Sequence, residues 1–112
     1  MVKLAHGIIA MLVTPFTADY KLNEDALRAE VRWALDNGAD GIVATPSIGE
    51  FLHLSESERL RAWEITLEES RKRPGACSVA MTSGATTLET LDYARHAARM
   101  GFDAQQVIPP YY

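Results

Sequence analysis

A chain of 112 residues suffices for about one small domain, and 47% hydrophobic with 23% charged residues is an ordinary globular composition. A net charge of −4 with no basic tract argues against nucleic acid or an anionic membrane as the main partner. The single cysteine, Cys77, rules out an internal disulfide and suits a reducing, cytoplasmic compartment, and no apolar run approaches membrane-spanning length.

The longest apolar run, Ile8 to Val13, does not alternate, so it reads as a strand covered on both faces. It is short for a secretory leader, and Thr14-Pro15-Phe16 is no small-residue cleavage site. Thr14-Pro15 ends the strand, and a polar loop leads to Asn23, a good N-cap with Glu24 and Asp25 in the first turn. Leu27, Val31, Ala34 and Leu35 recur at helical spacing with Trp33 near their face, and Asn37-Gly38 closes the helix.

The next stretch, Gly41 to Leu54, reads G-I-V-A-T-P-S-I-G-E-F-L-H-L. Ile42-Val43-Ala44 is strand-sized, Pro46 breaks it, and a small-residue loop through Ser47, Ile48 and Gly49 leads toward a helix start at Ser55. In parallel α/β folds, ligands bind at the C-terminal ends of strands. Ser47 offers a hydroxyl there, Gly49 allows close backbone approach, and consecutive loop N–H groups can hold an anion. A routine strand-to-helix connector accounts equally well for the spacing.

A capping box, Ser55-x-x-Glu58, opens the second helix, whose apolar side carries Leu60, Trp63, Ile65 and Leu67. Arg71-Lys72-Arg73 places cations at its C-terminal end as a solvated triplet, and Pro74-Gly75 stops it. Cys77 to Met81 is a third strand with Thr82-Ser83-Gly84 as its exit. A second capping box, Thr86-x-x-Glu89, begins a third helix with Leu88, Leu91, Ala94, Ala97 and Ala98 inward. A fourth strand, Ala104 to Ile108, runs into Pro109-Pro110 and Tyr111-Tyr112.

The order is therefore βα, βα, βα, β. Gly38-Ala39-Asp40 and Gly101-Phe102-Asp103 each lead into a strand that a proline ends eight positions after the glycine. The interval between them covers two βα units, a unit length that suits a (β/α)8 barrel of roughly 250 residues. The chain is thus expected to be the amino-terminal half of one barrel domain over residues 1–112. Such a half leaves open parallel edges, so further chain or a partner segment is expected to complete it. A small doubly wound sheet is the structural alternative.

Four fragments in order carry a resemblance: G-I-I-A-M-L-V-T-P-F, P-S-I-G-E-F, G-A-T-T-L-E-T-L and V-I-P-P-Y-Y. Together they resemble the amino-terminal half of the dihydrodipicolinate synthase / N-acetylneuraminate lyase family of Schiff-base aldolases. The resemblance implies a TIM barrel, usually tetrameric, that binds pyruvate or a 2-oxo acid as an imine on a sixth-strand lysine. It also implies that Ser47 matches the first threonine of the family's G-T-T-G-E motif. That threonine grips the substrate carboxylate and joins a proton relay with two tyrosines. Ile48 matches the second threonine but lacks its hydroxyl; Gly49 and Glu50 match the G-E. Tyr112 matches the fourth-strand tyrosine that reaches a neighbouring subunit's site. Pro46 departs from the family's glycine, and the G-E-F ending leans toward members acting on 2-keto-3-deoxy sugar acids.

The expected catalytic residues are therefore Ser47 and Tyr112, with Ser47, Ile48 and Gly49 binding substrate. An imine lysine must sit desolvated to be a free amine near neutral pH. None of the three lysines here is placed for that: Lys3 precedes the first strand, Lys21 lies in an exposed turn, and Lys72 ends a helix on the opposite side. The nucleophile is expected beyond Tyr112. His6, His53 and His96 share no ligand spacing, and no nucleotide-binding glycine motif occurs, so neither metal nor cofactor is expected. Glu50 reads first as a partner for a loop N–H or an arginine, Trp33 and Trp63 as helix packing, and Tyr111 as packing. The reading is a lyase acting on a 2-oxo acid. Its rivals are a non-enzymatic fragment or relative serving as an assembly or binding module, and a flavodoxin-like binding domain.

Overall fold

The computed structural model describes residues 4–110. Its elements alternate as the sequence predicts: β1 (Ile9–Met11), α1 (Glu24–Asp36), β2 (Gly41–Ala44), α2 (Glu56–Arg71), β3 (Cys77–Met81), α3 (Thr87–Met100) and β4 (Ala104–Gln106). The four strands pair in chain order and all run parallel. Ile9 stands opposite Gly41, Gly41 opposite Cys77, and Val79 opposite Ala104.

The two sheet faces differ. Ile42 packs with Val31, Ala34 and Leu35 of α1, while Ala44 and Ala80 pack with Trp63 of α2 and Ala97 of α3. The other face clusters Val43, Cys77, Val79 and Met81 with Ile9, Ala104, Ile108 and Phe51 of the connection after β2, and no α-helix residue lies among them. A doubly wound sheet puts helices on both faces and reverses its strand order at a switch point. Sequential order with helices on one face is instead the winding of a barrel wall.

The helix starts follow their caps. Asn23 Oδ1 accepts from Ala26 N–H at 3.1 Å. Ser55 and Glu58 exchange both capping-box bonds, at 3.2 and 2.8 Å. The second box is half-formed: Thr86 Oγ1 accepts from Glu89 N–H, but the Glu89 carboxylate turns to Ala85 N–H. The basic triplet is exposed but tethered. Arg71 donates to Met100 O, Lys72 pairs with Glu69, and Arg73 donates to Leu35 O and Asp36.

Several expectations need correction. β1 is shorter than Ile8–Val13 and not covered on both faces; Ile8 is 68% exposed and Val13 55%. It is an edge strand here, and its inner-face side chains have no opposing wall. Trp33 is 66% exposed, one position off the α1 stripe. On α3, Leu88, Leu91 and Ala98 point outward, while Ala97 is buried and Tyr93 and Met100 pack beside it. The bulk of Trp63 occupies this layer, so only a small residue fits opposite. β4 ends at Gln106 rather than Ile108.

The Gly-x-Asp repeat has a structural cause. Asp40 N–H donates to Ile8 O at 2.7 Å, and Ile8 N–H donates to Asp40 Oδ2 at 2.8 Å. Asp103 repeats the exchange with Ser78, at 3.0 and 2.9 Å. Gly7 is required beside the first clamp: it sits at φ +69, and a Cβ there would lie 1.9 Å from Asp40 Oδ2. The two clamps differ in burial, since Ser78 is buried and Ile8 is exposed. Asp103→Ala is therefore expected to cost about 1–3 kcal/mol by orphaning a buried donor, and Asp40→Ala about 1 kcal/mol or less. Urea titrations of the two variants check this; equal losses would refute it.

Candidate functional site

The stretch after β2 is built by backbone turns. Thr45 is buried at φ +45, and Pro46 lies extended at φ −71 and ψ −176. Proline cannot donate to a sheet ladder, so the chain leaves the sheet here. Two 3-10 turns follow, Ser47–Gly49 and Phe51–His53, joined by Glu50 at φ +57. The expected loop is thus more ordered than its small residues suggest. Gly49 is buried, and a Cβ there would meet Leu12 O and Pro46 Cδ at 3.0 Å. Thr14 Oγ1 donates to Gly49 O at 2.5 Å, so the exit of β1 holds the turn after β2.

Ser47 and Ile48 are both exposed. Gly49 N–H donates to Pro46 O and Glu50 N–H to Ser47 O. Among the described residues, neither the Ser47 nor the Ile48 N–H is used in a hydrogen bond, as befits the first donors of a short helix. The carboxylate of Glu50 makes none of the hydrogen bonds or ion pairs of the described residues, so the expected arginine or loop partner is not found.

The other strand exits converge on the same rim. Ile108 N–H donates to Ser83 Oγ at 2.7 Å, tying the exits of β3 and β4. Ile108 then lines a cleft of about 270 Å³ with Ser47, Glu50, Phe51, Leu52 and His53. Ser47 and Gly49 therefore stand at one C-terminal rim with the fourth-strand exit; Tyr111 and Tyr112 lie outside the described residues. A larger cleft, about 510 Å³, runs between α2 and α3 past Leu60, Tyr93 and His96. It lies on the helix side and reaches Glu56 and Glu89 in the first turns of the two helices.

Sequence reasoning missed the support beneath this rim. Arg59 of α2 is buried, and its Nη2 donates to Met81 O and, at 2.9 Å, to Ser83 O. Its guanidinium stacks 3.9 Å from the Tyr93 ring and 5.0 Å from the Phe51 ring. Trp63 Nε1 donates to Thr45 Oγ1 at 2.8 Å. Glu30 accepts from Val13 N–H at 3.2 Å, and burial pushes its carboxyl above the ordinary range.

Lys21 is exposed beside Asp19, and Lys72 pairs with Glu69; neither lines the Ser47 cleft. Lys3 lies outside the described residues. Among the described residues, no three or more His, Cys, Asp or Glu side chains gather as a metal site. No helix among them is long and apolar enough to cross a membrane.

The sequence profile of the Dihydrodipicolinate synthetase family matches residues 4–112. The 4-hydroxy-tetrahydrodipicolinate synthase of Acidiphilium cryptum is 36% identical over 107 residues, covering 96% of this chain and 36% of the relative. A dihydrodipicolinate synthetase-like protein from Pseudomonas aeruginosa superposes with a TM-score of 0.90 at 32% identity, over 97% of this chain and 37% of that one. A prophage protein of the dihydrodipicolinic acid synthase family from E. coli K12, solved in complex with pyruvate, superposes with a TM-score of 0.86 at 32% identity. The match covers 95% of this chain and 35% of that protein. The chain thus spans about a third of the length of the relatives it matches. Its four parallel strands and intervening helices match the first half of a TIM barrel. Strand order and family profile agree over nearly the whole sequence, and the chain belongs to the dihydrodipicolinate synthetase family.

Proposed function

We propose that residues 1–112 form the amino-terminal wall of a single-barrel class I lyase that acts on pyruvate or a 2-oxo sugar acid. The observation that carries this reading is the Ser47–Gly49 turn. It sits at the C-terminal end of β2, facing the fourth-strand exit across a cleft, with two N–H groups outside the turn's own hydrogen bonds. In this reading the Ser47 and Ile48 N–H groups hold the substrate carboxylate, which fixes the keto carbon for attack. A lysine contributed by the rest of the barrel condenses with that keto carbon, releasing water and leaving an imine. The imine accepts the electron pair when the bond at the neighbouring carbon breaks or forms. Ser47 and Tyr112 pass the protons that these steps need.

Pyruvate is the first substrate to test, because a structural relative was solved with it bound. The role given to Tyr112 requires a neighbouring subunit, so the working form is a homo-oligomer, a tetramer by resemblance to the family. Incubating the full-length protein with pyruvate and borohydride is expected to trap a reduced adduct on one lysine outside residues 1–112. Peptide mass spectrometry locates it. An unmodified protein, or an adduct on Lys21 or Lys72, would defeat the reading.

A further inference from the structure

We propose that Thr45 and Trp63 are a positioning pair that aims the Ser47 turn; the inference rests on the reading of that turn as the carboxylate and proton-relay site. Thr45 sits at φ +45 immediately after β2. A β-branched residue in the left-handed region is a conformational outlier, and it persists only where its surroundings hold it there. The left-handed step here falls two residues before the candidate catalytic hydroxyl.

The holding group is identifiable. Trp63 Nε1 donates to Thr45 Oγ1 at 2.8 Å, with Trp63 0% and Thr45 6% exposed. The indole is itself fixed by edge contacts to Phe102 and Tyr93, with ring centres 5.5 and 5.8 Å away. An extended Thr45 would continue the strand and take its hydroxyl away from the indole. The hydrogen bond therefore selects the left-handed conformer, because breaking it leaves a buried donor unpaired.

The choice at Thr45 passes directly to Ser47. Pro46 has a ring-locked φ, so it transmits the direction set at Thr45 without absorbing it. At the far end Thr14 Oγ1 fixes Gly49 O, so the turn is pinned at both ends and Ser47 lies between the pins. An indole in the helix layer thus sets where a hydroxyl on the opposite side of the sheet end comes to rest. A residue of simple packing value at position 63 would need no polar atom and no strained partner.

The test uses the full-length enzyme with pyruvate as the probe substrate. Thr45→Val removes the acceptor and keeps the branched shape; Thr45→Ser keeps the acceptor. Thr45→Val is expected to lower kcat/KM about tenfold through misplacement of the turn, and Thr45→Ser to restore most of it. Trp63→Phe should match Thr45→Val, and the double variant should be no worse than either, because both remove one bond. In a Ser47→Ala background the kcat effect of Thr45→Val should vanish, since no hydroxyl remains to be placed. If Thr45→Val fails to fold, Trp63→Phe alone carries the test, because it removes the donor and leaves residue 45 unchanged. A Thr45→Val enzyme with a lower Tm but unchanged kcat/KM, or effects of Thr45→Val and Ser47→Ala that simply multiply, would overturn the pair's positioning role. If Ser47→Ala alone left turnover unchanged, the reading of the turn itself would fall, and this inference with it.

Discussion

Replacing Glu69 with alanine is expected to lower the unfolding free energy by about 3 kcal/mol at neutral pH. Its side chain is fully buried at the packed α1–α2 face, where Arg32 Nε donates to it at 2.8 Å, Lys72 Nζ at 2.9 Å and Arg28 Nη1 at 3.1 Å. Removing the carboxylate leaves Arg32 and Lys72 without that anion, while Arg28 keeps Glu68 at 2.7 Å. The Arg32 guanidinium, with help from Lys72 and Arg28, holds the Glu69 carboxyl down to about 2, against desolvation that pushes the other way. A folded-state value below the ordinary 4.5 means that the stabilisation is fully present above about pH 4.5. It drains away as pH falls from there toward 2. Because Arg32 and Lys72 reach solvent, the loss along the acid limb is about 2 kcal/mol. Urea titrations of the wild type, Glu69→Ala and Glu69→Gln at pH 7 and pH 3 check both parts. Each variant should start less stable and lose less between the two pH values; parallel losses would exclude Glu69 as the titrating hub.

Helix caps and strand cores were legible in the sequence because they are local. Asn23, Ser55 and Thr86 each sit where their own side chains meet N–H groups three residues on. Side-chain facing was less legible, because it depends on what the element packs against. Leu88 and Leu91 look like the inward stripe of α3, yet the face is centred on Ala97, since Trp63 from another helix fills the layer. The unbroken apolar run Ile8 to Val13 signals a strand buried on both faces. Within these residues only the helix side of β1 is covered, so Met11 and Val13 remain exposed, while Ile8 lies before the strand begins. The Gly-x-Asp spacing was visible, but its cause was not, because each aspartate serves the N–H of a strand distant in sequence.

At the rim, Pro46 and Gly49 marked the departure of the chain, and Ser47 and Ile108 do share a cleft. The left-handed Thr45 could not be read, since threonine by itself favours an extended strand. Its conformation follows from an indole bond across the sheet–helix boundary. Arg59 was equally hidden: an arginine on an amphipathic helix reads as a solvent-facing residue. Its burial depends on rings from Phe51, Trp63 and Tyr93 and on carbonyls at the end of β3.

Ser47→Ala is expected to reduce kcat of the full-length enzyme about a hundredfold while leaving Tm nearly unchanged. Ser47 is exposed, and its side chain makes none of the hydrogen bonds of the described residues, so truncation removes no packing and orphans no buried group. The carboxylate grip proposed here uses backbone N–H groups, which alanine retains, so KM should change little. A loss confined to kcat is the signature of a group used when protons move rather than when substrate binds. Ile48→Thr supplies the opposite pattern. Ile48 is 55% exposed, so threonine fits without opening a cavity. The added hydroxyl restores a donor to the carboxylate worth about 1 kcal/mol, which lowers KM roughly fivefold with kcat little altered. Steady-state kinetics on the two variants therefore separate the two roles assigned to one turn. A Ser47→Ala enzyme with full kcat would remove the hydroxyl from the relay. An Ile48→Thr enzyme with unchanged KM would place the carboxylate away from these two residues.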